Sequence, residues 1–314
     1  MGRRRRGLDI NGILLFDKPL HWSSNEAVQK LKRLFNAQKA GHTGSLDPLA
    51  TGLLPVCFGQ ATKISAYLLD AVKGYRTTCE LGKVSTTGDA EGDISSTNDI
   101  PLLNESVIDA LLNRFRGPIQ QQPPMYSALW HEGKRLYELA RQGKVIDRPY
   151  RSVTVFKLEL VAYTPTTLTL DVLCSKGTYI RSLVEDLGQA LGCGAYVTKL
   201  RRTVVAPFVM PGIDMPGIDM PDCAWQTSPV YALEALSSVQ PDNVLLPVDA
   251  ALTQYPAVQL LPDQVQAILQ GQPVTCTEAL VKTMVRLYDG ETFLGLGEQA
   301  AHVIQPRRLM RAIT

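Results

Sequence analysis

No cysteine pair stands at zinc or dithiol spacing: Cys57, Cys79, Cys174, Cys193, Cys223 and Cys276 are scattered through 314 residues. Reduced, mostly buried thiols are expected, and neither a redox centre nor a zinc site. Histidine is scarce, and His21, His42, His131 and His302 show no ligand spacing, so no metal is expected. No apolar run reaches membrane-spanning length. The first nine residues carry Arg3 to Arg6 but lack the apolar stretch and small-residue cleavage site of a secretory leader, which points to the cytoplasm. Net charge is small too, only +2.

What is present is an ordinary globular composition, 45% hydrophobic and 20% charged, which argues against wholesale disorder. The length suggests one large domain followed by a small one. The near-neutral total hides segregation. Residues 1 to 40 hold nine Lys or Arg against Asp9, Asp17 and Glu26, whereas Thr86 to Asp109 has six acids and no base. Basic clusters recur at Lys134 and Arg135, at Lys199 to Arg202 and at Arg307 to Arg311. A solvated tail explains the four N-terminal arginines alone, but the recurrence favours an anionic, nucleic-acid partner.

Asn11 to Phe16 reads as a strand, and Ser23 with Glu26 as a capping box opening a helix to Phe35. Ala40 to Gly59, with four glycines and two prolines, reads as a long ordered loop of the functional kind. Asn104 is the expected N-cap of a helix burying Val107, Leu111 and Phe115. Val153 to Val161 and Leu168 to Cys174 alternate as strands, and Ile180 to Leu191 carries a helical stripe ended by Gly192. Residues 210 to 222 contain a duplicated PGIDM segment, a turn-rich surface connection without chemistry. Short strands at Leu280 to Tyr288 and Phe293 to Leu296 suggest a small β-rich C-terminal domain. Strands and helices are interspersed without a βαβ repeat, so the fold class is α+β.

The loop Gly41-His42-Thr43-Gly44-Ser45-Leu46-Asp47-Pro48-Leu49-Ala50-Thr51-Gly52 holds one carboxylate between glycines. It lacks the Gly-Lys-Ser/Thr of a phosphate loop. By residue type alone, capping a turn before Pro48 is the favoured reading of Asp47 over a reacting carboxylate. This loop, however, resembles the signature of the bacterial tRNA pseudouridine-55 synthases, the TruB family. Asp17-Lys18-Pro19, Lys73-Gly74-Tyr75, Gln122 to Leu129, Gly133 to Gly143, Lys176 to Arg181 and Leu200-Arg201-Arg202 match the family in order. The likeness runs from Asn11 to Ala206 and resumes from Leu246 to Leu309. His21 departs from it where glycine is usual, Ser45 where threonine is frequent, and Thr86 where aspartate often follows the family's threonine.

The resemblance implies a mixed-sheet catalytic domain over residues 1–250, poorly matched at 205–245, and a PUA-type RNA-binding domain over 251–314. It implies that uridine in the T-loop of tRNA becomes pseudouridine, with Asp47 as the catalytic carboxylate, by covalent attack or through a glycal-like intermediate. His42 would fill the gap left by the flipped base, Tyr75 would stack on the uracil and accept or relay its C5 proton, and Tyr179 would position the nucleotide. Leu200 would wall the pocket, Arg181 would keep Asp47 ionised and reach Asp89, and Lys18 and Pro19 would support the pocket. Plain core packing for Leu200 and an ordinary ion pair for Asp89 remain open readings. Lys134, Arg135, Arg201, Arg202, Arg307 and Arg308 are candidates for the RNA backbone. Neither cofactor nor protein partner is implied, the partner being tRNA itself through its T-loop and stem. A tRNA-binding or tRNA-folding module, or an enzyme acting on another structured RNA, are the competing readings.

Overall fold

The computed structural model describes residues 7–213 and 225–310. Cys223 and most of the duplicated PGIDM segment lie outside the described residues, as do Arg3 to Arg6 and Arg311. The strands, in chain order, are β1 (Gly12–Lys18), β2 (Ala40–His42), β3 (Ala50–Phe58), β4 (Lys73–Leu81), β5 (Lys83–Ser85), β6 (Ile94–Ser96), β7 (Gly117–Gln121), β8 (Trp130–His131) and β9 (Lys134–Arg135). They continue as β10 (Arg151–Tyr163), β11 (Thr167–Cys174), β12 (Ala195–Val205), β13 (Phe208–Val209), β14 (Gln226–Thr227), β15 (Ala257–Gln259), β16 (Val274–Asp289) and β17 (Thr292–Leu309). The helices are α1 (Ser24–Leu34), α2 (Ser65–Leu69), α3 (Glu105–Asn113), α4 (Leu136–Arg141), α5 (Ile180–Leu191), α6 (Leu233–Leu236) and α7 (Pro262–Leu269).

A mixed sheet in the order β1-β3-β12-β4-β11-β10-β7 forms the body of the molecule. Along that path β3 and β12 run parallel, with Leu200 opposite Ala50, and the other neighbours are antiparallel. α1 and α5 cover the sheet because each has one apolar stripe: Ala27, Val28 and Leu31 on the first, and Ile180, Leu183, Val184 and Leu187 on the second. The capping box of α1 forms as the sequence predicts, with Glu26 N donating to Ser23 Oγ and Ser23 N to Glu26 Oε2. α5 ends at Gly192 with φ +80°, the left-handed cap that glycine adopts without strain.

Two expectations need correcting. The segment from Ala40 to Gly59 is not one loop, because β3 occupies nine of its residues in the interior of the sheet. Its run Leu53 to Phe58 is apolar throughout because both faces are covered, which removes the alternation that marks an exposed strand. α3 buries Ile108, Leu111 and Leu112, while Val107 is exposed, since the helix is turned one position from the predicted stripe.

The C-terminal part carries a three-stranded sheet, β15-β16-β17, with α7 packed against it. Its core contains Leu260, Val265, Ile268, Val285, Leu287 and Ile304. A second cluster joins it to the main body: Ala251, Leu252, Leu296 and Met310 pack with Ile13, Leu15, Leu53 and Phe208. Among the described residues no helix is long and apolar enough to cross a membrane.

Candidate active site

Asp47 lies in the short connection between β2 and β3, at the floor of a cleft of about 430 Å³. Four parts of the protein hold this connection. Ser24, in the first turn of α1, accepts a hydrogen bond from Leu46 N at 2.7 Å and donates to Leu46 O at 3.2 Å. Lys18, wholly buried at the end of β1, donates to Trp22 O at 2.6 Å, Pro19 O at 3.0 Å and Pro48 O at 3.5 Å. His21 N donates to Pro48 O at 2.8 Å, and His21 has φ +67°. That left-handed geometry suits the glycine usual there, so the histidine keeps the chain path at some backbone strain. Arg202 of β12, 1% exposed, donates from Nε to Leu53 O at 2.7 Å and from its two terminal nitrogens to Ser45 O and Gly44 O.

Arg181, in the first turn of α5, is the counter-charge. Its Nη2 is 3.0 Å from Asp47 Oδ2 and its Nε 3.7 Å from Asp89 Oδ2. The same guanidinium donates to Thr87 O at 2.8 Å and Tyr126 O at 2.7 Å, which fixes its plane. Asp89 is equally buried and accepts from Thr87 Oγ1 at 2.6 Å and Glu91 N at 3.1 Å. The acidic turn between β5 and β6 thus supplies the second carboxylate to a buried cluster, not to a surface ion pair.

Asp47 keeps 41% of its side-chain surface, opening on the cleft, yet protein surrounds the carboxylate closely. Burial raises its pKa, the charge and hydrogen bond of Arg181 pull it back, and Asp89 raises it again. The net direction is up, so the carboxyl is a stronger base than an exposed aspartate and Arg181 limits the rise. Burial also lowers Lys18, to about 8, against the pull of Asp47.

His42 lines the cleft and accepts from Gly44 N at Nδ1, 3.3 Å away, which leaves Nε2 as the protonated nitrogen of the neutral ring. Burial and the nearby Arg202 charge lower its pKa. Tyr75, on β4, sits opposite Arg202 in the sheet register. Burial drives its phenol up to about 12, and the nearby Arg202 charge works against that rise. Tyr179 is the N-cap residue of α5, clamped by Gln121, which donates to Tyr179 O at 3.0 Å and accepts from Tyr179 N at 2.8 Å. Leu200 is 8% exposed beside them, opposite Ala50 and Thr77.

The structure therefore gathers His42, Asp47, Asp89 and Arg181 in one cleft, with Lys18 and Pro19 beneath its floor. Tyr75 and Tyr179 lie near enough to feel the Asp47 charge but are not among the cleft's lining residues, and Leu200 packs in the core. Residues that sequence reasoning did not assign to the site are Ser24, Gln121, Glu91, Tyr137 and Arg141, all but Gln121 lining the cleft. Ser24 is the neighbour of a capping serine, and Tyr137 and Arg141 fall within the matched run Gly133 to Gly143, whereas Gln121 and Glu91 carry no local signal.

The basic residues divide sharply. Arg202 is corrected: its side chain is interior and committed to three carbonyls, so it supports the Asp47 loop and cannot reach an RNA backbone. Arg201 is half-exposed but bidentate to Asp17, at 3.0 and 2.6 Å. Lys134 is exposed on the β8–β9 hairpin, where Arg135 stacks on the exposed Trp130 ring, 4.0 Å from its centre. Arg307 is paired with Glu298 at 3.0 Å, and Arg308 is exposed.

Residues 32–180 match the model of the TruB family pseudouridylate synthase N-terminal domain. Residues 181–253 match the tRNA pseudouridylate synthase B C-terminal domain, and 256–310 the Pseudouridine synthase II TruB C-terminal region. The tRNA pseudouridine synthase B of Chromohalobacter salexigens is 48% identical over 318 residues, covering 99% of this chain and 97% of its own length. The chain belongs to the TruB family. A Yersinia enterocolitica tRNA pseudouridine synthase B is 47% identical over 99% of the chain and 94% of its own length. Among solved structures, an H/ACA RNP bound to a substrate RNA containing 2'-deoxyuridine is similar at TM-score 0.70 and 22% identity, covering all of this chain and 92% of that one. A Cbf5-Nop10-Gar1 complex is similar at TM-score 0.69 and 24% identity, covering 95% and 85%. These neighbours share the fold, a mixed sheet with a small C-terminal unit, and the TruB relatives share nearly the whole chain.

Proposed function

We propose that this TruB-family chain converts a uridine in the T-loop of tRNA, position 55, to pseudouridine, and that Asp47 is its catalytic carboxylate. The observation that carries the reading is the contact of 3.0 Å between Asp47 and the buried Arg181 inside a cleft large enough for one nucleotide, in a chain 48% identical to tRNA pseudouridine synthases B. In the reaction the bond from uracil N1 to ribose C1′ breaks, and a bond from C5 to C1′ forms. C5 loses a proton and N1 gains one, so product and substrate are isomers and no redox partner or cofactor is required. An ionised Asp47 serves either as nucleophile or as the base that removes a sugar proton.

The target nucleotide must leave the stack to reach Asp47, and His42 at the cleft wall is suited to occupy its place. Tyr75 offers a ring face to the uracil. Its phenol, driven up to about 12, stays protonated at neutral pH and acts as hydrogen-bond donor and stacking surface; proton acceptance from C5 would need the disfavoured phenolate. Tyr179 and Leu200 shape the apolar wall, Lys18 and Pro19 fix the floor, and Arg181 bridges Asp47 to Asp89. Residues 1–250 act as the catalytic domain and 251–314 as a PUA-type RNA-binding domain, with Lys134, Arg135, Arg201, Arg307 and Arg308 toward the RNA backbone. The chain acts on tRNA without a protein partner, in the cytoplasm.

The test is to incubate the chain with unmodified tRNA and map new pseudouridine by position, beside Asp47→Asn. A single T-loop product, absent with the variant, is expected. Modification elsewhere, or by the variant, would overturn the assignment.

A further inference from the structure

Beyond the cleft, the outward side of α1 forms a second concavity. A groove of about 450 Å³ is lined by Trp22, Asn25, Glu26, Gln29, Lys30 and Arg33. Asn25 lines the Asp47 cleft as well, so groove and cleft meet at one side chain.

The charges in this groove are unbalanced in an informative way. Arg76, Lys83, Arg116, Lys157, Lys176 and Arg201 each lie within salt-bridge distance of a carboxylate. Lys30 and Arg33 are exposed and, among the described residues, have no such partner. Glu26 stands four positions before Lys30, the spacing at which a helical ion pair forms. Its carboxylate is instead held by the capping box, accepting from Ser23 N and Ser23 Oγ at 2.7 Å each. Lys30 turns to the Trp22 ring, 5.2 Å from its centre. Two uncompensated cations, an aromatic ring and the side-chain amides of Asn25 and Gln29 therefore share one groove. That set fits a phosphodiester strand: cations for phosphates, a ring for a base or ribose, amides for polar edges.

We infer that the α1 groove is an RNA subsite for the strand entering or leaving the catalytic cleft, with Lys30 and Arg33 on phosphates and Trp22 against a base or ribose. The inference rests on the tRNA reading above. Continuity with the cleft distinguishes this ligand from an acidic protein segment, which would have no reason to approach Asp47.

The experiment compares wild type, Lys30→Gln/Arg33→Gln and Lys30→Glu/Arg33→Glu with a control of equal charge change, Lys83→Glu/Lys157→Glu. The dissociation constant for unmodified tRNA is measured between 50 and 200 mM salt, together with the single-turnover rate at saturating tRNA. The charge-reversed groove variant should bind about tenfold more weakly at fixed salt, and its slope of log affinity against log salt should fall by about 1.5, for two lost phosphate contacts. The glutamine variant should lie between, and the saturated rate should not change. Wild-type affinity and slope in both groove variants would overturn the inference, as would equal weakening by the control, which would reduce the effect to net charge. Binding of fluorescent oligo-glutamate to wild type but not to the groove variants, with tRNA affinity unchanged, would assign the groove to an acidic protein segment instead. Failure of the enzyme reading looks different: wild type would bind tRNA and form no pseudouridine.

Discussion

Arg181 and Asp47 form an unequal pair: the guanidinium is 5% exposed, the carboxylate 41%, and 3.0 Å separates them. The cation is therefore the fixed partner, tied to Thr87 O and Tyr126 O, and the carboxylate keeps a free side toward the cleft. Arg181 also lowers the Asp47 pKa against the effect of burial.

Arg181→Met should push the Asp47 pKa further up. The acidic limb of the single-turnover rate against pH moves to higher pH, and the rate on that limb drops about tenfold for each pKa unit of the rise. Arg181→Lys keeps the charge without the planar fork and should fall between. Rate profiles at saturating tRNA, with melting temperatures alongside, check this. An unmoved acidic limb in a folded Arg181→Met protein would leave Arg181 as scaffold only.

Asp47→Asn should abolish turnover and yet not weaken the fold. The folded-state pKa of Asp47 lies above its ordinary 3.8, so the folded chain holds that proton more tightly than the unfolded chain does. Ionisation then costs stability at pH above the raised value, and the cost vanishes below 3.8. At neutral pH the variant should melt at or above wild type, with the difference closing as pH falls toward 3.8. A variant melting clearly lower at neutral pH would contradict the net direction of the shift.

Arg202 holds the Asp47 loop through Gly44 O and Ser45 O and stands opposite Tyr75 in the sheet register, where its charge works against the rise of the phenol. Arg202→Lys should lower the saturated rate several-fold with tRNA affinity unchanged. In a double-mutant cycle with Tyr75→Phe the two losses should be strongly non-additive. Additive losses would mean that Arg202 acts through the loop alone.

Cutting the chain before Ala251 would strip Leu252, Leu296 and Met310 from the core they share with Ile13 and Leu53, so point changes are the cleaner probe of the C-terminal unit. Arg308→Ala should reduce the salt slope of tRNA binding by about 0.7–0.9, the value of one phosphate contact. Arg307→Ala should do less, because Glu298 already neutralises that guanidinium. Filter binding across a salt series separates the two, and equal slopes for Arg308→Ala and wild type would remove that residue from the interface.

Legibility followed locality. The capping box at Ser23 and Glu26, the Asn104 cap and the Gly192 stop are written in a few adjacent residues, and each formed as expected. β3 was missed as a strand because a strand covered on both faces loses its alternation, and Gly52 and Pro55 read as loop; β12 was missed because its middle carries Lys199, Arg201 and Arg202. Gly52 is there for another reason: at φ +99° its missing Cβ leaves room for the Arg202 backbone. The motif residues of the cleft were legible from the sequence, but not the partners that hold them. Nothing near Arg202 in sequence tells that its charge faces Gly44 and Ser45, some 157 positions away, instead of solvent.

The connection bearing Asp47 is tied to α1 by Ser24, to β1 by Lys18, to β12 by Arg202 and to α5 by Arg181. Irregular backbone anchored on four sides should behave in amide exchange as the core does. Leu46 N–H, bonded to the buried Ser24, should open with the global unfolding reaction, well after the exposed outer end of β10. The stretch proposed to carry the chemistry would then be among the chain's slowest to exchange, and tRNA would meet a site whose ordering entropy was already lost during folding.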